Sequence, residues 1–295
     1  MAARRSILIT APVGNNPARV RMLIYHKGLE SDIEMKSPAD YGGLTSEKYR
    51  AINPQGKMPA LILPTGETLY EARVVCAYLL DVYAGIGPPI GAATPEGRAR
   101  SALITQTHDL YIASPNSSNP SVTATQGCMY KGVELIDGPT RAAKVCETND
   151  GRERDPAAHT CHASARALTH FRSSALAPCR QVAELWKQLG VLEGLVIGPY
   201  AAGDTLTEAD FALWPTLSSF LPFMLPRVFG WGNVMEDETN LPKLKAWHAA
   251  VGALPAAQRV KDEVMSALQG WEDSGKFTPI QAQVAAHPQL KWKFP

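Results

Sequence analysis

The sequence predicts an α+β protein in two parts, a small βαβαββα unit followed by an all-α helical bundle. Three observations carry that prediction. Short apolar runs alternate with helical periods over residues 1–84, a stretch dense in glycine and proline follows (Gly85-Ile86-Gly87-Pro88-Pro89-Ile90-Gly91), and the second half reads as helical. A chain of 295 residues is long for one domain, and two units fit the usual domain size better. The boundaries expected are 1–84, a linker at 85–93 and a helical part over 94–295.

Composition narrows the function classes. Hydrophobic residues make up 45% and charged residues 19% of the chain, enough for a sizeable core in a soluble protein. The net charge is +1 and the basic residues are scattered, so no nucleic-acid partner is implied. Five cysteines without framework spacing point to a reducing compartment, and the expected location is cytoplasmic. The apolar run Ser6–Thr10 is too short for a signal-peptide core and fits a first strand. Pro222 and Pro226 interrupt the later apolar stretch 217–229, so no membrane span is expected.

Taken in order, Ser6–Thr10 reads as a central strand and Asn16-Pro17 as a helix N-cap with a first-turn proline. Val20, Leu23, Ile24 and Lys27 share one helix face, and Gly28 is a natural stop. Asp32–Lys36 is a second strand and Thr45–Ile52 a short helix. Ala60–Leu63, the Pro64-Thr65-Gly66 turn and Glu67–Tyr70 make a hairpin. A closing helix, Glu71–Tyr83, places Val74, Val75, Tyr78, Leu79 and Val82 inward. Beyond the linker, Thr94-Pro95 caps a helix with Leu103, Ile104, Thr107, Leu110 and Tyr111 on one stripe. The polar, turn-rich region 115–160 reads as an insertion, with a helix resuming over 126–135. The helical period returns over 176–195. Thr207 and Asp210 form a capping box with Leu206 and Phe211 at the staple positions. Leu241–Leu254 and Pro255–Leu268 are further helices, and 271–295 is a tail in which Trp292 and Phe294 pack back on the body or meet a partner.

One stretch concentrates the binding chemistry: Asn53-Pro54-Gln55-Gly56-Lys57-Met58-Pro59-Ala60-Leu61. A proline opening a strand needs no ladder N–H, and an X-Pro bond at so tight an entry is where a cis peptide is kept. The backbone N–H and C=O of Met58 would then face outward as a peptide-binding edge. Seven residues after Leu63 the chain reaches Tyr70-Glu71-Ala72-Arg73, at the start of a helix, where free N–H groups and the dipole favour an anion. A peptide edge, a Lys57 cation and an anion-binding helix start are what a small acidic peptide requires.

This set resembles the glutathione S-transferase superfamily, through the Asn-Pro-x-Gly-Lys-x-Pro loop, Glu71 at the next helix and the Thr207/Asp210 box. The resemblance implies a thioredoxin-like N-terminal domain, glutathione as co-substrate and a homodimer. It implies that Lys57 meets the glycine carboxylate, Met58 and Pro59 hold the peptide backbone, and Glu71 meets the γ-glutamyl ammonium, with Gln55 assisting. For Lys57 the competing reading is a solvated turn lysine. For Glu71 it is a carboxylate stabilising a helix start.

Two departures stand out. The family's serine after this glutamate is replaced by Ala72, which keeps the N–H and loses a hydroxyl bond to a charged group, on the order of 1.5–3 kcal/mol. Arg73 supplies charge nearby or faces solvent. Second, aligning Arg19-Val20-Arg21 with the tau-class pattern puts Gly14 where a catalytic serine stands. No Ser, Tyr or Cys lies between Ala11 and Ala18. The site is therefore read as a Ser/Asn type resembling tau or theta enzymes, not the omega cysteine type. The donors left to stabilise a thiolate are the amides of Asn15 and Asn16. Asn15 is the better candidate because Asn16 is read as the cap, and Gly14→Ser is expected to restore a hydroxyl donor. Val13, His108 and Tyr111 are candidates for the electrophile pocket, against a core role for the tyrosine. His159, Cys161 and His162 are too crowded for one tetrahedral metal site, so no metal is expected. Cys76 reads as buried packing. The expected function is addition of the glutathione thiolate to apolar electrophiles. The alternative is a non-catalytic binding or scaffold subunit of the same fold.

Overall fold

The computed structural model describes residues 5–113, 177–228, 230 and 232–286. The expected insertion at 115–160, the helix at 126–135, the His159/Cys161/His162 group, and Trp292 with Phe294 lie outside these residues. Four short strands, β1 (Ser6–Ile9), β2 (Ile33–Lys36), β3 (Ala60–Ile62) and β4 (Thr68–Tyr70), form one sheet in the order β2-β1-β3-β4. β1 pairs parallel to β2 and antiparallel to β3, and β3 pairs antiparallel to β4. Parallel pairing requires a crossover, supplied by α1 (Asn15–Lys27), which Gly28 ends in the left-handed conformation at φ 70°. α2 (Glu47–Arg50), capped by Ser46, and α3 (Ala72–Val82) complete the unit. This is a thioredoxin-like N-terminal fold, and helices follow it.

Those helices are α4 (Pro95–Thr107), α5 (Ala177–Leu195), α6 (Glu208–Pro215), α7 (Leu221–Val228), α8 (Pro242–Gly252), α9 (Pro255–Asp273) and α10 (Thr278–Ala286). α4 runs on into a π-helical turn, His108–Ile112, and α6 into a second, Thr216–Phe220. Pro215 accounts for a break at the second, since it has no N–H to give the i→i−4 ladder.

α1 is the hub. It packs on α3 within its own unit and on α6 and α9 of the helical part. It is therefore buried nearly all round, including Arg19, Arg21 and Lys27, not only along the stripe that the apolar period marks. Lys27 donates to the carbonyls of Tyr83 and Ile86, where α3 ends and the linker begins. The linker lies so close there that a Cβ on Gly87 would stand 2.7 Å from the Lys27 carbonyl oxygen, at a φ of 66°.

Some expected details differ. The helix begins at Asn15 after an N-cap at Gly14, so Asn16 is not the cap. On α3 Val75, Cys76 and Leu79 are buried, whereas Val74 and Val82 are exposed. Leu103 and Leu110 are exposed as well, and Tyr111 is 44% exposed while His108 is 1% exposed. A π turn adds a residue to the helical cycle, so His108 and Tyr111 do not share a face.

The Thr207/Asp210 box forms at the start of α6. One Asp210 oxygen accepts the Thr207 N–H at 2.8 Å and its hydroxyl at 3.0 Å. The other accepts the Ala201 N–H at 2.7 Å and the Trp247 indole N–H at 2.8 Å. Asp210 is fully buried, and burial pushes its carboxyl pKa up while these four donors pull it back. Asp210→Ala leaves three buried N–H donors unpaired and is expected to cost about 3 kcal/mol or more of stability in urea unfolding. A loss below about 1 kcal/mol would show that the carboxylate is dispensable to the core.

Candidate active site at the end of the sheet

Strand register assembles the site. Ile9 lies opposite Ala60, and Ala60 opposite Tyr70. The residues just beyond these partners therefore form one row at one sheet end: Thr10 leaving β1, Pro59 entering β3 and Glu71 leaving β4. Adjacent strands are about 4.8 Å apart, so the row spans about 10 Å. The Met58–Pro59 bond is cis.

The loop before β3 is built from within. The Asn53 side-chain amide and the Tyr49 hydroxyl both donate to the Lys57 carbonyl, at 2.7 and 2.6 Å. The Asn53 side-chain oxygen accepts the Gln55 N–H at 3.0 Å. Asn53 and Tyr49 are buried, so the exposed Gln55 and Lys57 stand on a pinned backbone, with Met58 half-buried beside them.

Glu71 is exposed and has φ 69° and ψ 119°. It is the one non-glycine residue with positive φ among the described residues. Such a backbone costs on the order of 1–3 kcal/mol, and it falls where the chain leaves the row and enters α3. Ala72 behind it is buried. Arg73 turns away: its guanidinium donates to Gln106 at 2.9 Å and lies 3.9 Å from Glu208. It ties α3 to the helical part.

On the other side of the row the chain passes through 11–14 into α1. Arg21 clamps this loop, donating to the Thr10 hydroxyl at 2.9 Å, to the Ala11 carbonyl, and to the Pro12 carbonyl at 2.8 Å. Its Nε pairs with Glu263 of α9 at 2.9 Å. Gly14 has φ 115°, and a Cβ there would meet the Pro17 ring at 3.2 Å. The position that aligns with a serine thus has a glycine backbone, and a serine side chain there would be strained.

Asn15 is 6% exposed. Its side-chain oxygen accepts the Asn16 N–H at 2.9 Å, and its Nδ2 donates to the Thr216 hydroxyl at 3.2 Å. Thr216 Oγ1 lies 2.8 Å from His108 Nε2, and His108 Nδ1 lies 2.9 Å from Asp109 Oδ1. Arg19 closes the ladder with both nitrogens on Asp109 at 3.1 Å and one on the Asn16 side-chain oxygen at 2.8 Å. Burial pushes the Asp109 carboxyl up, but the hydrogen bond from His108 and the Arg19 charge outweigh it and hold the pKa at about 2. His108 is therefore a member of a buried polar ladder and not a wall of an apolar pocket. Val13 is half-buried at the loop, and Tyr111 is exposed on the far side of the π turn. Cys76 is buried, and burial raises its thiol pKa to about 12, as its packing role requires. Among the described residues no group of His, Cys, Asp and Glu is arranged to hold a metal, and no helix is long and apolar enough to cross a membrane.

Two family signatures match this chain: that of the glutathione S-transferase N-terminal domain over residues 15–82 and that of the C-terminal domain over residues 153–250. The chain belongs to the glutathione S-transferase superfamily. It is 29% identical over 254 residues to glutathione S-transferase 3 of Zea mays, covering 84% of this chain and 89% of that protein. It is 33% identical over 99 residues to protein LigF of Sphingobium sp. strain SYK-6, covering 34% of this chain and 38% of LigF. Among solved structures, the beta-etherase LigF superposes with a TM-score of 0.59 at 20% identity, covering 88% of this chain and 99% of LigF. A tau-class transferase from mango gives 0.59 at 17% identity, covering 91% and 99%. These likenesses support the fold.

The residues missed in the sequence are Arg21, Asp109 and Thr216, together with the buried role of Arg19. Two arginines spaced by one residue inside the otherwise apolar stretch Pro17–Tyr25 are a signal that carboxylates lie nearby. Gly14→Ser is expected to lower stability by about 1–3 kcal/mol in chemical unfolding without raising turnover. A stable Gly14→Ser protein with faster conjugation would reverse this reading of position 14.

Proposed function

We propose that this transferase-family protein binds glutathione across the sheet-end row and adds its thiolate, slowly, to a soft apolar electrophile. The observation that carries the reading is the register that brings the Met58–Pro59 edge, Glu71 and the start of α1 to one end of the sheet. The Met58 N–H and C=O would pair with the tripeptide backbone, and Lys57 with the glycine carboxylate, Gln55 assisting. Glu71 would meet the γ-glutamyl ammonium and the Ala72 N–H its carboxylate. The cysteinyl sulfur then falls at the start of α1, where the dipole favours negative charge by about 0.3–1 kcal/mol. There the Asn15 amide, with one N–H on Thr216 and a second available by its valence, is the donor to the thiolate. An amide donates without accepting the thiol proton, which passes to solvent. The new S–C bond forms as the electrophile's leaving group departs or its double bond takes the electrons. Slow turnover follows from the missing hydroxyl at position 14 and from Ala72. Family resemblance supports a homodimer, and exposed Val74 and Leu103, flanking the Arg73–Gln106 bond, supply apolar surface for it.

Calorimetric titration with glutathione and conjugation of an aryl halide test the reading. Glu71→Ala should weaken glutathione affinity about tenfold or more, as expected for a bond to a charged group. Asn15→Ala should leave affinity within about twofold, raise the thiol pKa of bound glutathione and cut turnover about tenfold. Binding with no conjugation of any aryl halide would favour the scaffold reading, which Gly14 and Ala72 also suit. No binding at concentrations on the order of millimolar would remove the glutathione reading altogether.

A further inference from the structure

The ladder behind Asn15 is built as more than a domain clasp. It joins Asp109, His108, Thr216 and Asn15 in one chain of hydrogen bonds. Asp109 is ionised and accepts from Arg19 and from His108 Nδ1. Nδ1 faces a carboxylate that only accepts, so the ring proton is assigned to Nδ1; in that tautomer the bare Nε2 accepts from the Thr216 hydroxyl at 2.8 Å. The Thr216 oxygen then accepts from Asn15 Nδ2 at 3.2 Å. The Asn16 N–H on the Asn15 oxygen fixes which end of the amide faces Thr216. His108 and Thr216 are 1% and 0% exposed, so the chain runs in low dielectric, where successive hydrogen bonds polarise one another. Both residues open a π-helical turn, and π turns inside α-helices are frequent at functional sites.

We propose that Asp109, His108 and Thr216 are positioning residues of the transferase reaction, holding and polarising the Asn15 amide so that its second N–H meets the glutathione sulfur. Arg19 anchors the carboxylate end. The proposal rests on Asn15 as the thiolate donor and adds to it that the donor is set from the helical domain, through residues that touch neither glutathione nor electrophile. Asn15 is rotationally fixed at both ends of its amide, so the donor is pre-organised before substrate arrives.

The test is a set of substitutions read by the thiol pKa of bound glutathione, from thiolate absorbance against pH, and by kcat and KM separately. Thr216→Val, which keeps the shape and removes the hydroxyl, should raise the thiol pKa and lower kcat about 3- to 10-fold. KM for glutathione should stay within about twofold. Thr216→Ser should restore the parent values. In an Asn15→Ala background, Thr216→Val should add nothing, because the amide it acts through is gone. A Thr216→Val protein that binds glutathione with unchanged thiol pKa, or effects that add fully to those of Asn15→Ala, would overturn the relay. The unmodified protein gives an independent reading by NMR of the Asn15 side-chain amide. Saturating glutathione should shift one Nδ2 proton, while the other, held by Thr216, stays protected from exchange. Two unmoved protons in a glutathione complex overturn the relay alone. A protein that binds no glutathione overturns the relay and the functional reading together.

Discussion

The Arg19–Asp109 pair is the interaction on which the site depends. It joins the first helix of the sheet unit to the end of α4 in the helical part, with the arginine 3% exposed. A buried ion pair recovers its desolvation cost only when the geometry is good and the remaining donors and acceptors are matched. Here both guanidinium nitrogens reach the carboxylate, a third contact goes to Asn16, and His108 takes part of the carboxylate's remaining capacity. The Asp109 pKa of about 2 lies below the ordinary carboxylate value. Its contribution to stability is therefore fully present above the ordinary carboxylate range and is lost as pH falls toward 2. Arg21 with Glu263 makes a second bridge from α1, to α9. Together they fix the helix whose N-terminus faces the sheet-end row.

Around that fixed helix two residues beside the row hold positive φ, and one of them is strained by it. Glu71 is held at φ 69° and Gly14 at φ 115°, one on each side of the row. Both lie in backbone regions that other residue types rarely adopt. Glu71 is a side chain in a backbone region suited to glycine, whereas Gly14 adopts its conformation at little cost. Such strain persists because the neighbours are rigid: Asp210 with its four donors under α6, Lys27 over the end of α3, Arg21 on the entry loop. Glycine at position 14 removes the hydroxyl that family relatives of the tau pattern place there and leaves the start of α1 to an amide. On the proposed reading, the chain keeps the cis Met58–Pro59 edge while changing the group next to the sulfur.

What the sequence made legible was local. The Asn53–Leu61 loop, the turn into Glu71 and the Thr207/Asp210 box each lie within a few residues, and each carries its own turn or capping chemistry, so they can be read without knowing the fold. The ladder was hidden because Arg19 meets Asp109 across 90 positions and Asn15 meets Thr216 across 201. Threonine carries no sign of such a role in sequence. The inward stripe assigned to α3 failed at Val74 and Val82 because periodicity marks a wide apolar arc and cannot say where its cover ends. His108 and Tyr111 were placed together by α-helical spacing, and the π turn between them parts them. Arg19 and Arg21 mark the helix in sequence only as an Arg-x-Arg pattern, and their burial shows in the fold alone.

The most direct measurement is a crystal structure of the glutathione complex. The tripeptide should lie along the Met58–Pro59 edge, with its γ-glutamyl end at Glu71, its sulfur in hydrogen-bonding contact with Asn15 Nδ2 and the Asn15–Thr216–His108–Asp109–Arg19 ladder intact. A sulfur directed elsewhere, with the Asn15 amide still turned wholly into the helical domain, would contradict it.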